Sequence, residues 1–132
     1  AWAPQVLPKA PVRLPDGVVL QAEFARSPEE REIGMMFRTE LSEDDAMMFV
    51  FPAEQGMMFW MKNTLVDLDM VFLKADKTVS IVHAGVPKSS MDTPDEDIAR
   101  RSGLARFVLE LPAGAAKKHG IFAGGRLGFN EN

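Results

Sequence analysis

The side chains that could do chemistry gather around one short stretch, FWMKNT at residues 59–64. There the chain passes from apolar Phe59, Trp60 and Met61 to polar Lys62, Asn63 and Thr64. Trp60 offers a flat apolar surface, and Lys62 and Asn63, together with Arg38, could supply hydrogen-bond donors at its rim. That is the composition of a pocket for a small polar ligand, such as a saccharide or a cell-wall fragment. Asp69 and Glu110 lie in segments whose other residues are mostly apolar. As a pair they could share general acid and base roles in a hydrolase. A buried carboxylate is costly without a partner, so the sequence predicts that both reach Arg38, Lys62 or backbone amides. The expectation is a single polar junction, with Trp60 largely buried and Lys62 or Asn63 close to Arg38, Asp69 or Glu110. The plainer alternative is a clasp of structural ion pairs, with Phe59 and Trp60 filling core layers.

Other chemistries find less support. There is no cysteine, so disulfides, thiolate nucleophiles and zinc–thiolate sites are excluded. His83 and His119 lie far apart, with no second ligand at metal spacing. DTPDED (92–97) lacks the glycine and the spacing of a calcium loop. Ser89 and Ser90 have no nucleophile-elbow glycines, and the glycines of AGGRLG are wrongly spaced for a phosphate loop. The doublets Met35-Met36, Met47-Met48 and Met57-Met58 could suggest Cu(I). They sit among Phe and Val, however, where methionine serves as core filling. Neither a metal nor a cofactor is expected.

These residues must be positioned by a chain of 132 residues, enough for one domain with a core of its own. Apolar residues make up 46%, and the net charge of −4 comes with no basic run, which argues against nucleic acid and anionic membranes as partners. No apolar stretch approaches the roughly 20 residues of a membrane-spanning helix.

The start, AWAPQVLPKAPVRLP, is proline-rich and resembles the extended arm often left after a signal peptide is cleaved. The expectation is therefore an arm over residues 1–11, poorly packed and dispensable, and an exported, periplasmic or envelope-associated protein. A β domain over 12–132 would follow. Pro15-Asp16-Gly17 turns a hairpin. Ser27 caps a short helix begun by Pro28 and ended by Gly34, which should have a positive φ. Strands are predicted at 47–52 and 56–61, joined by Ala53-Glu54-Gln55, and at 67–73, 78–84 and 106–112. A short helix ending at Gly120 and a last strand in RLGF complete the chain. Residues 85–104 read as a long polar connection. Many short strands, several apolar on both faces, with one or two short helices predict a compact, mostly β sandwich or barrel of the jelly-roll kind.

GMMFR (34–38), MMFVF (47–51), FWMKNT (59–64), LDMVFL (68–73) and FVLELPAG (107–114) occur in one order and spacing. In that combination the chain resembles the domain-of-unknown-function family 192. The resemblance runs from about Phe24 to Phe129. It implies a compact, mostly β fold, commonly exported in bacteria, and brings no activity with it. The residues themselves favour a small binding or accessory module of the envelope, with Arg38, Trp60, Lys62 and Asn63 at its ligand site. Alternatives are the hydrolase built on Asp69 and Glu110, and a structural partner in an envelope complex that shows an apolar surface patch instead of a pocket.

Overall fold

Strands with apolar residues at every position need cover on both faces, and they take the middle of the sheet. The computed structural model describes residues 3–132. Its strands are β1 (Lys9–Arg13), β2 (Val19–Ala25), β3 (Met47–Trp60), β4 (Leu68–Leu73), β5 (Val79–Val86), β6 (Arg100–Pro112) and β7 (Gly128–Phe129). They form one sheet in the order β5-β4-β6-β3-β2-β1-β7. All six residues of β4 are buried. Every pairing is antiparallel except β2 with β3, whose parallel crossover carries helix α1 (Pro28–Ile33). Helix α2 (Ala115–Lys118) follows β6.

The sheet curls into a half-barrel. Its outer strands approach each other where Thr78 bridges Arg126, and Val79 N–H donates to the Gly125 carbonyl at 2.8 Å. The mostly β architecture and the two short helices agree with the sequence expectation. Successive residues alternate between two apolar clusters. Met48, Val71, Phe107 and Leu109 belong to one, and Met47, Phe49, Met70 and Val108 to the other.

The segments 47–52 and 56–61, expected as two strands, form one element. It is sharply bent. Its pairing with β6 slips between Val50 and Gln55, around Pro52. Phe49 and Phe59 would stand roughly 33 Å apart on a straight strand, yet their rings meet edge to face at 5.0 Å. The strand therefore doubles back, and its second half lies over the second apolar cluster. β6 follows it, pairing Arg100–Leu104 with Gly56–Trp60. The long polar connection expected over 85–104 is thus shortened at both ends. Partner geometry, not apolar content, makes RRSGL a strand.

Of the arm expected over residues 1–11, residues 1 and 2 lie outside the described residues, and the remainder departs from expectation. β1 begins at Lys9, and Lys9, Ala10 and Pro11 pair with Glu23, Ala22 and Gln21. Before it, the Gln5 side-chain amide donates to the carbonyls of Glu30 and Gly34, both at 2.9 Å. Proline excludes a central strand position but leaves these contacts open. Removing residues 1–10 is therefore expected to lower the melting temperature by several degrees in a thermal scan; an unchanged midpoint would show these contacts to be idle.

α1 is built as the sequence reads. Ser27 Oγ accepts from Glu30 N–H at 3.1 Å, and the Glu30 carboxylate accepts from Ser27 N–H at 3.0 Å, closing a capping box. These backbone donors hold the Glu30 carboxyl below its usual range. Gly34 ends the helix with φ of 50°. A Cβ there would lie 3.0 Å from Phe49 Cζ. Gly34→Ala combines backbone strain with that contact and should destabilise by about 1 kcal/mol or more in urea unfolding.

Candidate functional site

One row across the sheet carries the charge. Glu23 on β2 pairs with Met47 on β3, Met47 with Glu110 on β6, and Glu110 with Met70 on β4. Paired residues share a face, so both glutamates enter the second apolar cluster, with Met47 between them. Two strand spacings place their Cα atoms roughly 10 Å apart. Arg38 answers Glu23, with Nη2 2.8 Å from Oε2, and it also donates to the Gln5 carbonyl at 3.1 Å. Leu7 N–H donates to Glu23 Oε1 at 2.9 Å. The arginine and glutamate side chains are only 13% and 7% exposed.

Glu110 has no such partner. It is buried and makes no hydrogen bond among the described residues. Burial pushes its carboxyl up to about 8, against a smaller opposite pull from the Arg38 charge.

Asp69 stands on the other side of the sheet. It pairs with Leu111, which belongs to the first cluster, whereas Glu110 pairs with Met70 of the second. The two carboxylates therefore do not form the acid–base pair that the sequence allows. Asp69 instead accepts from the N–H groups of Gly85 at 2.9 Å, Gly114 at 3.0 Å and Ala116 at 2.9 Å. It ties the end of β5 to the start of α2. Backbone amides were among its expected partners; Arg38 and Lys62 are not the ones it takes.

The expected single junction is thus divided among separate places. Lys62 pairs with Asp95 at 2.7 Å, near the surface. Asn63 takes φ of 51°, and its carbonyl accepts from Phe37 N–H at 2.9 Å, which fastens the turn after α1. Trp60 is 37% exposed, not largely buried. Its ring faces two cations, the Arg100 guanidinium at 5.0 Å and Lys62 Nζ at 5.6 Å.

A cleft of about 350 Å³ joins several of these groups. Gly34, Met35 and Met36 line it together with Phe49, Phe51 and Phe59 of the bent strand. Met58, Trp60, Lys62 and Arg31 stand around it, and Glu110 opens into it. Arg31 donates to the carbonyls of Arg26 and Val50, and its guanidinium lies 4.9 Å from the Phe51 ring centre. Of the ligand residues expected from sequence, Trp60 and Lys62 line the cleft. Arg38 acts on Glu110 through its charge, and Asn63 serves the backbone. No three ligating side chains come together for a metal among the described residues.

Glu23 is the residue that sequence reasoning missed. LQAEFA reads as a strand with Leu20, Ala22 and Phe24 inward, which leaves Glu23 for solvent. The available signal was its neighbour Ala25, apolar on the same face.

The chain belongs to the DUF192 family, described as "Uncharacterized ACR", whose model matches residues 12–129. Among solved structures it is similar to a protein of Sinorhizobium meliloti 1021 described as a candidate transcription regulator. That likeness has 34% identity and a TM-score of 0.81, covering 97% of this chain and 99% of the other. It is also similar to a protein of unknown function from Novosphingobium aromaticivorans DSM 12444, with 31% identity and a TM-score of 0.74 over 97% and 94% of the two chains. No curated protein matches it.

Two outcomes follow from the divided charges. Arg38→Ala leaves Glu23 buried without its cation and should cost about 3–5 kcal/mol in denaturant unfolding, whereas Lys62→Ala removes an exposed pair worth about 0–1 kcal/mol. Glu110 binds its proton more tightly folded than unfolded, so its contribution is complete below pH 4.5 and is lost as pH rises to about 8. Glu110→Gln should therefore flatten the fall in stability across that window and leave the variant the more stable protein at pH 8. Parallel wild-type and variant slopes would show that Glu110 titrates normally.

Proposed function

We propose that this protein is a small-molecule binding module whose site is the cleft between the turn after α1 and the bent β3. One observation carries the reading. Glu110 is a largely buried residue whose carboxyl takes no hydrogen bond from the described residues, and its oxygens reach solvent at a cleft with aromatic walls. A ligand that fills the cleft would have to answer that carboxyl in place of water, which gives the site a polar anchor. Apolar walls with a few converging polar groups are the usual make-up of a small-ligand site.

The ligand this supports is amphipathic. Its apolar surface would lie against Phe59, Met58 and Trp60, and one polar group would meet Glu110. A saccharide could stack on Trp60 in this way, but Arg38 is committed to Glu23 and gives it no donor at the mouth. Catalysis by Asp69 with Glu110 gains no support from carboxylates on opposite faces.

A ligand-observed NMR screen of small polar and amphipathic compounds tests the proposal. Hits should shift resonances of Met58, Phe59 and Trp60. They should lose at least about tenfold in affinity in Glu110→Gln, which keeps the side-chain volume nearly constant, and in Phe59→Leu, which keeps an apolar side chain but removes the ring. Hits that bind equally well to both variants would place the site elsewhere.

A further inference from the structure

Resting on that reading of the cleft, we propose that its ligand is an organic cation, an alkylated ammonium group held between the aromatic walls and the Glu110 carboxylate. The rings give the first reason. Phe49, Phe51, Phe59 and Trp60 all line the cleft, and aromatic faces attract cations, most strongly where water is excluded. The outer two already do so with the chain's own side chains, Arg31 at Phe51 and Lys62 with Arg100 at Trp60. The inner two, Phe49 and Phe59, hold no such cation among the described residues. They stand on the same side of the sheet as Glu110.

Charge gives the second reason. Arg38 is paired with Glu23, and Lys62 with Asp95. Arg31 and Glu32, opposite in sign, line the cleft together. Glu110 is the buried carboxyl of the cleft that no cation hydrogen-bonds, and Arg100, over Trp60, is engaged with the carbonyls of Asp95 and Ile98. Met47 and Met70, which flank it on β3 and β4, bring no charge. Among the groups packed around it, Arg38 is the cation that favours its ionised form. That pull is too weak to keep the buried carboxyl ionised at neutral pH. A cation inside the cleft would supply the missing counter-charge and expel the proton. An ammonium without N–H groups also needs no hydrogen-bond acceptor, which suits walls made of Phe and Met.

A neutral hydrogen-bond acceptor would do the reverse, since it would use the protonated carboxyl as a donor. The two ligand classes therefore differ in the sign of their pH dependence. Titration calorimetry with choline and with its uncharged carbon analogue 3,3-dimethylbutan-1-ol separates them, run from pH 6 to pH 9 in two buffers of different ionisation enthalpy. A quaternary ammonium has no proton of its own, so any proton released comes from the protein.

Choline is expected to bind at least about tenfold more tightly than the alcohol at pH 8.5. Its affinity should rise with pH towards a limit of about tenfold per unit, flatten above the carboxyl's midpoint, and be accompanied by proton release. Glu110→Gln should remove both the pH dependence and the proton release. Phe59→Leu should weaken choline more than the alcohol. Equal binding of the two compounds, or an affinity that falls with pH, would overturn the cation while leaving the cleft as a binding site. Failure of both compounds to bind at millimolar concentration would also overturn the cation. The cleft itself would then be judged by the broader NMR screen, which does not depend on charge.

Discussion

Phe49 and Phe59 belong to the same strand, yet their rings meet at 5.0 Å, and this contact requires β3 to double back between Phe51 and Glu54. The rest of the second cluster depends on that bend. Phe59 reaches Phe72 of β4 with ring centres 5.8 Å apart, and Phe51 packs edge-on against Phe59 at 6.0 Å. On a straight β3, Phe49 and Phe72 would lose their cover from Phe59. Apolar area of that size stabilises a small domain substantially only when it is covered. The same bend makes the cleft, because both of its arms contribute wall residues.

Electrostatics within this cover are constrained by number. One guanidinium faces two buried carboxyls. It hydrogen-bonds Glu23 directly and touches Glu110 only through its field. Charge-assisted hydrogen bonds weigh more than an unbonded attraction at longer range, so Glu23 has the stronger claim on Arg38. Met47 between the two carboxyls keeps them from sharing the cation equally. The asymmetry leaves one acid satisfied and one available, which is a different kind of site from two carboxylates acting as a pair.

Local rules made much of the fold legible. The capping box of α1, the positive φ of Gly34 and the fully buried β4 all follow from residue types within a few positions of one another. The mostly β architecture follows from strands too apolar to lie at an edge. The site was legible only in its parts. Trp60 and Lys62 do stand at the cleft, and Glu110 was singled out because a carboxyl among apolar neighbours is costly. What failed was partner choice. Asp69 and Glu110 look equivalent in one dimension, but the register that sets Asp69 against Leu111 sends them to opposite faces. A one-residue difference in register decides this, and no local pattern encodes it. Glu23 was missed for a related reason. β2 is covered on its second face only because Arg38 and the segment before β1 fold across it, contacts that arrive from 15 and 16 residues away.

The pairing of β1 with β7 joins Val12 to Phe129 and Arg13 to Gly128. This has a bearing on how the chain can be assembled as it leaves the ribosome. β6 can meet β3 and β4 once it has been made, but β1 has no partner on its far side until Gly128 and Phe129 have emerged. The bridge from Thr78 to Arg126 waits for the same moment. Until then the nascent sheet has two exposed rims that could join those of other chains. Emergence of Arg126 to Phe129 allows both to close. The commitment to the finished sheet is therefore late and nearly all-or-none, timed by the synthesis of that short segment.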